Sequence, residues 1–233
     1  IPGHRVVIAQ IDTGLMLDHP ALQGRLVSDG IDLSGDGRAN AAYDTRQRGA
    51  TYWHATAVAS VLAGNTDENV KILPDKVVRF GTDTCAASAV LAAMEDAVAK
   101  GARVLNMSLS TSQNRAGFAA MMDKAAALGV AVCCSAGNAG EQISNRYPSA
   151  LPQAITVSAV TADKTVAGFS NYGDLVDYCA PGSHITVATM DSGGAPAATT
   201  ASGTSLSCPY GAACCALLLR LHPALTLGQL NAL

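Results

Sequence analysis

Five short apolar runs punctuate the chain: Arg5 to Ile11, Lys76 to Phe80, Arg103 to Leu109, Val130 to Cys134 and Ala154 to Val160. Continuous runs of this kind suit buried strands of a parallel sheet covered on both faces. Between them the spacing changes. Val90, Leu91, Met94, Ala97 and Val98 recur at helical intervals until Gly101, and Phe118, Met121, Met122 and Ala125 do so until Gly129. His54 opens a further helical run to Ala63, ended by Gly64, and Ser205 opens a long Ala/Cys/Leu run. Strands alternating with helices predict an α/β fold, a three-layer, doubly wound, mainly parallel sheet with helices on both faces. The stretches from Ser28 to Thr51 and from Ala139 to Ser149 are rich in Gly, Asp, Asn and Arg and read as loops. No repeat or interdomain linker interrupts the pattern, so residues 1–233 read as one domain.

Composition narrows the picture. Hydrophobic residues make up 49% of the chain but aromatics only 4%, so Ala, Val, Leu and Ile must build the core. The net charge of −3, with acids and bases dispersed, gives no electrostatic case for nucleic acid or an anionic membrane. No apolar run reaches the roughly 18–20 residues that cross a bilayer, so no membrane span is expected. Ile1-Pro2-Gly3-His4 lacks the charged and apolar regions of a secretory signal. The chain therefore reads as a mature or trimmed domain, compatible with a removed signal or propeptide. Its seven cysteines are odd in number, two pairs are sequence neighbours, and no Cys-x-x-Cys occurs. They read as core thiols and favour a reducing compartment or an anaerobic source.

The predicted architecture places the polar residues. Asp12 and Asn138 each follow a buried strand, and His54 and Ser205 each open a helix. In open α/β sheets, sites form beyond the carboxyl ends of the strands. Ser205 at a helix start sits where free amides favour developing negative charge. Serine needs a base and a group that orients the base; His54 and Asp12 are the candidates, and Asn138 offers a donor to an oxyanion. Taken singly, each has a plainer reading: Asp12 as a turn former, Ser205 as a helix cap. Thr204 offers an equivalent cap, which frees Ser205 for chemistry. The remaining histidines, His4, His19, His184 and His222, read as structural or surface residues.

Taken together, these segments resemble the subtilisin-like serine peptidases, or subtilases. That family shows Asp, His and Ser motifs in this order. Here they are matched by Asp12-Thr13-Gly14, by His54-Ala55-Thr56-Ala57-Val58-Ala59-Ser60 and by Gly203-Thr204-Ser205-Leu206-Ser207-Cys208-Pro209. Ala136-Gly137-Asn138 matches the segment of the oxyanion asparagine, and Phe169-Ser170-Asn171-Tyr172-Gly173 is a weaker match. The resemblance implies a serine endopeptidase acting on peptide or protein substrates through an acyl-enzyme, with a processing peptidase that trims one precursor as its narrower variant. Asp12, His54 and Ser205 would be catalytic. Ser108, Leu109 and Ser110 would bind an extended substrate backbone, and Ser135, Ala136 and Gly137 would wall the pocket before the scissile bond. Pro209 would fall within the first turn or so of the Ser205 helix, where its missing N–H does least harm. By itself the resemblance implies secretion, against the cysteine pattern.

The departures from the family pattern are specific. Ala55 and Ser60 replace glycines, and the stretch between Gly64 and Val77 is short and lacks an obvious calcium loop. Asn65, Asp67 and Glu68 supply oxygens but read as a solvated turn. No cofactor or metal is expected. Arg146 either biases the specificity pocket toward acidic or polar residues or pairs with Glu141 on the surface. Two rival readings remain. A pepsin-like aspartic peptidase would use Asp12-Thr13-Gly14 with Asp191-Ser192-Gly193. A pseudoenzyme would keep the fold for binding alone.

Overall fold

Four of the five apolar runs become strands within a residue or two of their expected bounds. The computed structural model describes residues 4–42, 53–79, 81–82 and 84–230. Its strands are β1 (Val6–Asp12), β2 (Ile31–Asp32), β3 (Val70–Lys76), β4 (Val104–Met107), β5 (Ala131–Ser135), β6 (Ile155–Val160), β7 (Tyr178–Pro181), β8 (Ile185–Met190) and β9 (Pro196–Ala201). The helices are α1 (His54–Gly64), α2 (Ala87–Ala99), α3 (Arg115–Ala127), α4 (Thr204–Leu221) and the short α5 (Leu227–Leu230). The main sheet has the order β2-β3-β1-β4-β5-β6-β7, and all its pairings are parallel. The chain builds outward from β1 to β3 on one side and from β4 to β7 on the other. The switch between β1 and β4 is where such sheets open a crevice.

Side-chain alternation divides the core into two layers. One face carries Ile8, Ile72 and Val104 against Leu62 of α1 and Leu219 of α4. The other carries Ile11, Leu73 and Leu105 against Met94 of α2 and Phe118 of α3. Burying each such large side chain contributes about 2 kcal/mol. The neighbouring cysteines of β5 follow the same rule: Cys133 enters the α1/α4 layer and Cys134 the α2/α3 layer. On α4, Cys208, Ala212, Cys215, Ala216 and Leu219 are buried at helical spacing, and these mostly small residues form the face that meets the sheet.

Several expectations are corrected. The run assigned to Lys76–Phe80 is not a strand: the strand is Val70–Lys76, and Phe80 lies outside the described residues. Pro74 and the Asp75-Lys76 pair break the apolar pattern there, so the strand signal was masked by polar residues at the sheet's working end. The Ser28–Thr51 loop contains β2, and its residues 43–51 lie outside the described set. The sequence pattern gave no strand at β7 or at the β8–β9 hairpin, whose Ala/Thr-rich residues carry little hydrophobic contrast. Asp191-Ser192-Gly193 is the exposed hairpin turn, with Asp191 Oδ1 accepting from the amides of Gly193 (2.8 Å) and Ala195 (2.9 Å). That removes the second half of the pepsin-like reading. Cys179 and Cys214 are exposed, so the thiols are not all core residues; all seven are free. Finally, α4 has 18 residues of mean hydropathy 1.2 and meets the length and composition of a membrane span, although 56% of it is buried against the rest of the fold.

Asp75 stands out in this core. It is 1% exposed, and among the described residues neither carboxyl oxygen has a hydrogen-bond partner. The nearby cation, Lys100, is already paired with Asp96 at 2.6 Å. Burial first, then the charge of Asp96, pushes the Asp75 pKa up to about 7, with Lys100 opposing. The native state thus holds this proton more tightly than the unfolded chain. Stability from the protonated acid is present below pH 4 and is lost as pH rises toward 7. The loss approaches about 4 kcal/mol at pH 8. Asp75→Asn is therefore expected to match the parent near pH 4 and to exceed it in urea midpoint at pH 8. Equal midpoints at pH 8 would show that the buried acid is compensated.

Candidate active site

The site gathers at the sheet's switch point. Asp12 is the last residue of β1, 2% exposed. Its Oδ1 accepts from the Thr13 amide at 2.6 Å and from His54 Nδ1 at 2.7 Å. An ionised carboxylate only accepts, so Nδ1 carries the proton and Nε2 is left as the basic nitrogen. Burial pulls the His54 pKa down, but the Asp12 charge and hydrogen bond outweigh it and leave the pKa above its ordinary value. The histidine is fixed by its helix. Trp53, at the N-cap of α1, offers no side-chain cap, and Thr13 Oγ1 accepts from the Ala55 amide at 3.0 Å instead. Gln10 Nε2 donates to the Ala55 carbonyl at 2.7 Å, and the Met16 amide donates to Thr56 Oγ1 at 3.0 Å. The Asp12-Thr13 pair thus both orients the imidazole and caps the helix that carries it.

Ser205 is the second residue of α4, and neither it nor Thr204 caps that helix: the N-cap is Gly203, without a side-chain bond. Asn138 performs the role from another loop. Its Oδ1 accepts from the Thr204 amide (2.8 Å) and the Thr204 hydroxyl (2.8 Å), and Thr204 Oγ1 accepts from the Gly137 amide at 3.1 Å. With Oδ1 so occupied, Asn138 Nδ2 is turned toward Gly203. A Cβ built on Gly203 would lie 3.5 Å from that nitrogen and 3.9 Å from the Ser205 amide. Asn138 Nδ2 and the Ser205 amide nitrogen thus both lie within 4 Å of one point beside Gly203.

Pro209, expected within the first turn or so, is the sixth residue of α4. Its missing N–H leaves the Ser205 carbonyl without a helical donor. The Ser108 hydroxyl supplies one at 2.9 Å, and Ser205 Oγ donates in return to the Ser108 carbonyl at 3.3 Å. Ser108 is thus more than a cleft residue: it ties the end of β4 to the start of α4. Asn171, 1% exposed, fixes the Asn138 loop in a similar way. It donates to Ala136 O (3.0 Å) and accepts from the amides of Ala139 (2.9 Å) and Glu141 (3.2 Å). Gly137, at φ 103°, is needed beside it, because a Cβ there would lie 2.4 Å from Asn171 Nδ2. Only the Phe169–Gly173 motif hinted at Asn171, and nothing local hinted at its role.

A cleft of about 410 Å³ opens beside these residues, lined by Asp12, Thr13, His54 and Ser108, by Leu109 and Ser110, and by Val78, Thr84, Cys85, Thr111 and Gln113. Burial, then the Asp12 charge, raises the Cys85 thiol. Ser135, Ala136 and Gly137 run from the end of β5 directly into Asn138. Arg146 stands apart, half-exposed, with Nη2 4.0 Å from Glu141 Oε1. Among the described residues, no group of three or more His, Cys, Asp or Glu side chains is arranged to hold a metal. In the Asn65–Glu68 turn, Asp67 pairs with Arg220 at 2.6 Å.

A profile of the subtilase family matches residues 3–233. The chain is 32% identical over 239 residues to subtilisin-like serine protease Pen ch 13 of Penicillium rubens, covering 94% of this chain and 54% of that protein. It is 30% identical over 225 residues to subtilisin-like protease 2 of Trichophyton equinum, covering 93% and 50%. The chain thus spans about half the length of the curated relatives it matches. The crystal structure of a cold-adapted subtilisin-like serine proteinase superposes with a TM-score of 0.81 at 32% identity, over 98% of this chain and 80% of that one. Profile, relatives and fold agree across nearly every residue, and the chain belongs to the subtilase family.

Proposed function

We propose that this chain is a serine endopeptidase that cleaves extended peptides through a Ser205 acyl-enzyme. The observation that carries the reading is the 2.7 Å Asp12–His54 hydrogen bond, which leaves Nε2 as the free base in a cleft whose wall, Ser108, is bonded to Ser205. In this reading Ser205 Oγ gives up its long 3.3 Å bond to the Ser108 carbonyl and donates to the imidazole instead. His54 then takes the hydroxyl proton as Oγ attacks the scissile carbonyl. Asp12 stabilises the imidazolium, and Asn138 Nδ2 with the Ser205 amide receives the oxyanion. The imidazolium gives its proton to the leaving amine, and water repeats the sequence on the acyl-enzyme. No cofactor enters these steps. Ser108, Leu109 and Ser110 continue the β4 strand along the cleft, which supports pairing with a substrate backbone as an added strand.

A fluorophosphonate probe is expected to label one residue per chain, Ser205, without protection by pepstatin. A labelled serine elsewhere, or none in folded protein, would favour the pseudoenzyme. For specificity, the half-exposed position of Arg146 beside Glu141 supports the surface-pair reading. A peptide library should then give the same profile for the parent and Arg146→Ala; loss of an acidic preference in the variant would return Arg146 to the pocket.

A further inference from the structure

Lys76 is fully buried at the end of β3. Its ammonium donates to Asp36 Oδ2 at 2.7 Å, to Ser34 Oγ at 2.8 Å and to the Val78 carbonyl, and it lies 3.8 Å from Asp32 Oδ1. The side chains of Asp32 and Asp36 are 0% and 6% exposed. These oxygens come from Asp32-Leu33-Ser34-Gly35-Asp36-Gly37, in which every second residue carries a side-chain oxygen and a glycine follows the third. That spacing winds a loop around a hard cation, and calcium loops share its opening, carboxylate–x–polar–x–carboxylate–Gly. Here the centre of the loop is already filled by an amine on a neighbouring strand.

We propose that Lys76 is a tethered replacement for a divalent cation, so that the 32–37 loop is held without metal and becomes a calcium site only when the amine is removed. The balance of charge supports this. Two buried carboxylates need positive charge; the exposed Arg79 lies 3.7 Å from Asp36 Oδ1, and the buried Lys76 ammonium, seated among oxygens, meets the same demand as a metal ion, at lower charge but with no dissociation. The loop after α1 repeats the solution. There the Arg25 guanidinium collects the carbonyls of Ala63, Thr66, Asp67 and Val70 and the Thr66 hydroxyl, at 2.5 to 3.3 Å. The 32–37 loop flanks the working end of the sheet, whereas the loop after α1 lies at the opposite end, where it leads into Val70 at the start of β3. Lys76 is the register partner of Asp12, and the Val77 amide donates to the Asp12 carbonyl at 2.9 Å. The internal cation therefore also steadies the strand end that presents the triad carboxylate.

The test compares thermal midpoints in calcium and in EDTA, with Ser205→Ala as the common background to exclude self-digestion. The parent should shift by less than about 1 °C between the two conditions. Lys76→Ala should lose about 10 °C in EDTA and regain about half of it in millimolar calcium. Lys76→Met, whose side chain fills the same space without charge, should be destabilised and insensitive to calcium. If Lys76→Ala does not fold as produced, its refolding yield with and without calcium is the measure, and a calcium-dependent gain supports the replacement. A parent stabilised by about 5 °C or more in calcium overturns the proposal. So does a Lys76→Ala variant with no calcium-dependent gain in midpoint or yield, or an equal gain in Lys76→Met.

Discussion

Ser205→Ala is expected to lower kcat for a cleaved peptide by about a million-fold, the loss that removing the nucleophile produces in subtilisin itself. The substitution is unusually clean here. Alanine is the best helix former, and position 205 lies in the first turn of α4. Only the 3.3 Å donation to the Ser108 carbonyl is lost from the fold. The bond in the other direction, from the Ser108 hydroxyl to the 205 carbonyl freed by Pro209, survives. The Asn138–Thr204–Gly137 bridge involves no Ser205 side-chain atom and also survives. The thermal midpoint should therefore stay within about 2 °C of the parent, because such a long, partly exposed bond contributes little. Activity within tenfold of the parent, at matched folding, would move the nucleophile away from Ser205.

Asp12→Asn should cost about ten-thousand-fold in kcat/KM. The bonds from Thr13 and His54 both fall on one oxygen of Asp12, Oδ1, while Oδ2 is buried without a hydrogen-bond partner among the described residues. An asparagine can keep its carbonyl at Oδ1, so the Thr13 and His54 contacts are retained and the geometry changes little. What disappears is the negative charge. The Asp12 charge and hydrogen bond are what hold the His54 pKa above its ordinary value against the opposing effect of burial. Without the charge the imidazolium formed during attack is no longer stabilised, and the His54 pKa falls. The acidic limb of the kcat/KM profile should therefore move to lower pH in the variant while the plateau drops. A variant with an unmoved acidic limb would mean that a group other than His54 controls it. A plateau within tenfold of the parent would mean that Asp12 only positions the ring.

The legibility of this site depended on how local each interaction is. Ser205, His54, Asp12 and Asn138 were readable because each sits at the end of a strand or the start of a helix, where sequence signals are sharp. The strand β3 was misplaced because its last residues, Asp75 and Lys76, are buried polar side chains, and burial of charge contradicts the hydrophobic signal used to find strands. Thr204 was read as a cap and is instead a bridge between Asn138 and Gly137, across 66 and 67 residues of sequence. Pro209 was expected within the first turn or so; as the sixth residue of α4 it explains a bond from Ser108 that no local pattern announces. The hairpin of β8 and β9 escaped notice because its second strand is Ala and Thr after Pro196, with little hydrophobic contrast.

The order of residues alone determined that strands and helices alternate and that a serine, a histidine and an aspartate stand at their ends. Those facts follow from periodicity and capping, which act over a few residues. The tertiary structure alone decided which oxygen of Asp12 meets His54, that Ser108 answers the proline in α4, that Asn171 holds the Asn138 loop, and that a lysine fills the acidic loop beside β3. Each is a contact between residues 30 or more positions apart. Hydrogen bonds of this kind depend on where the parallel sheet brings its strand ends together, and that convergence exists only once both helical layers have packed against it.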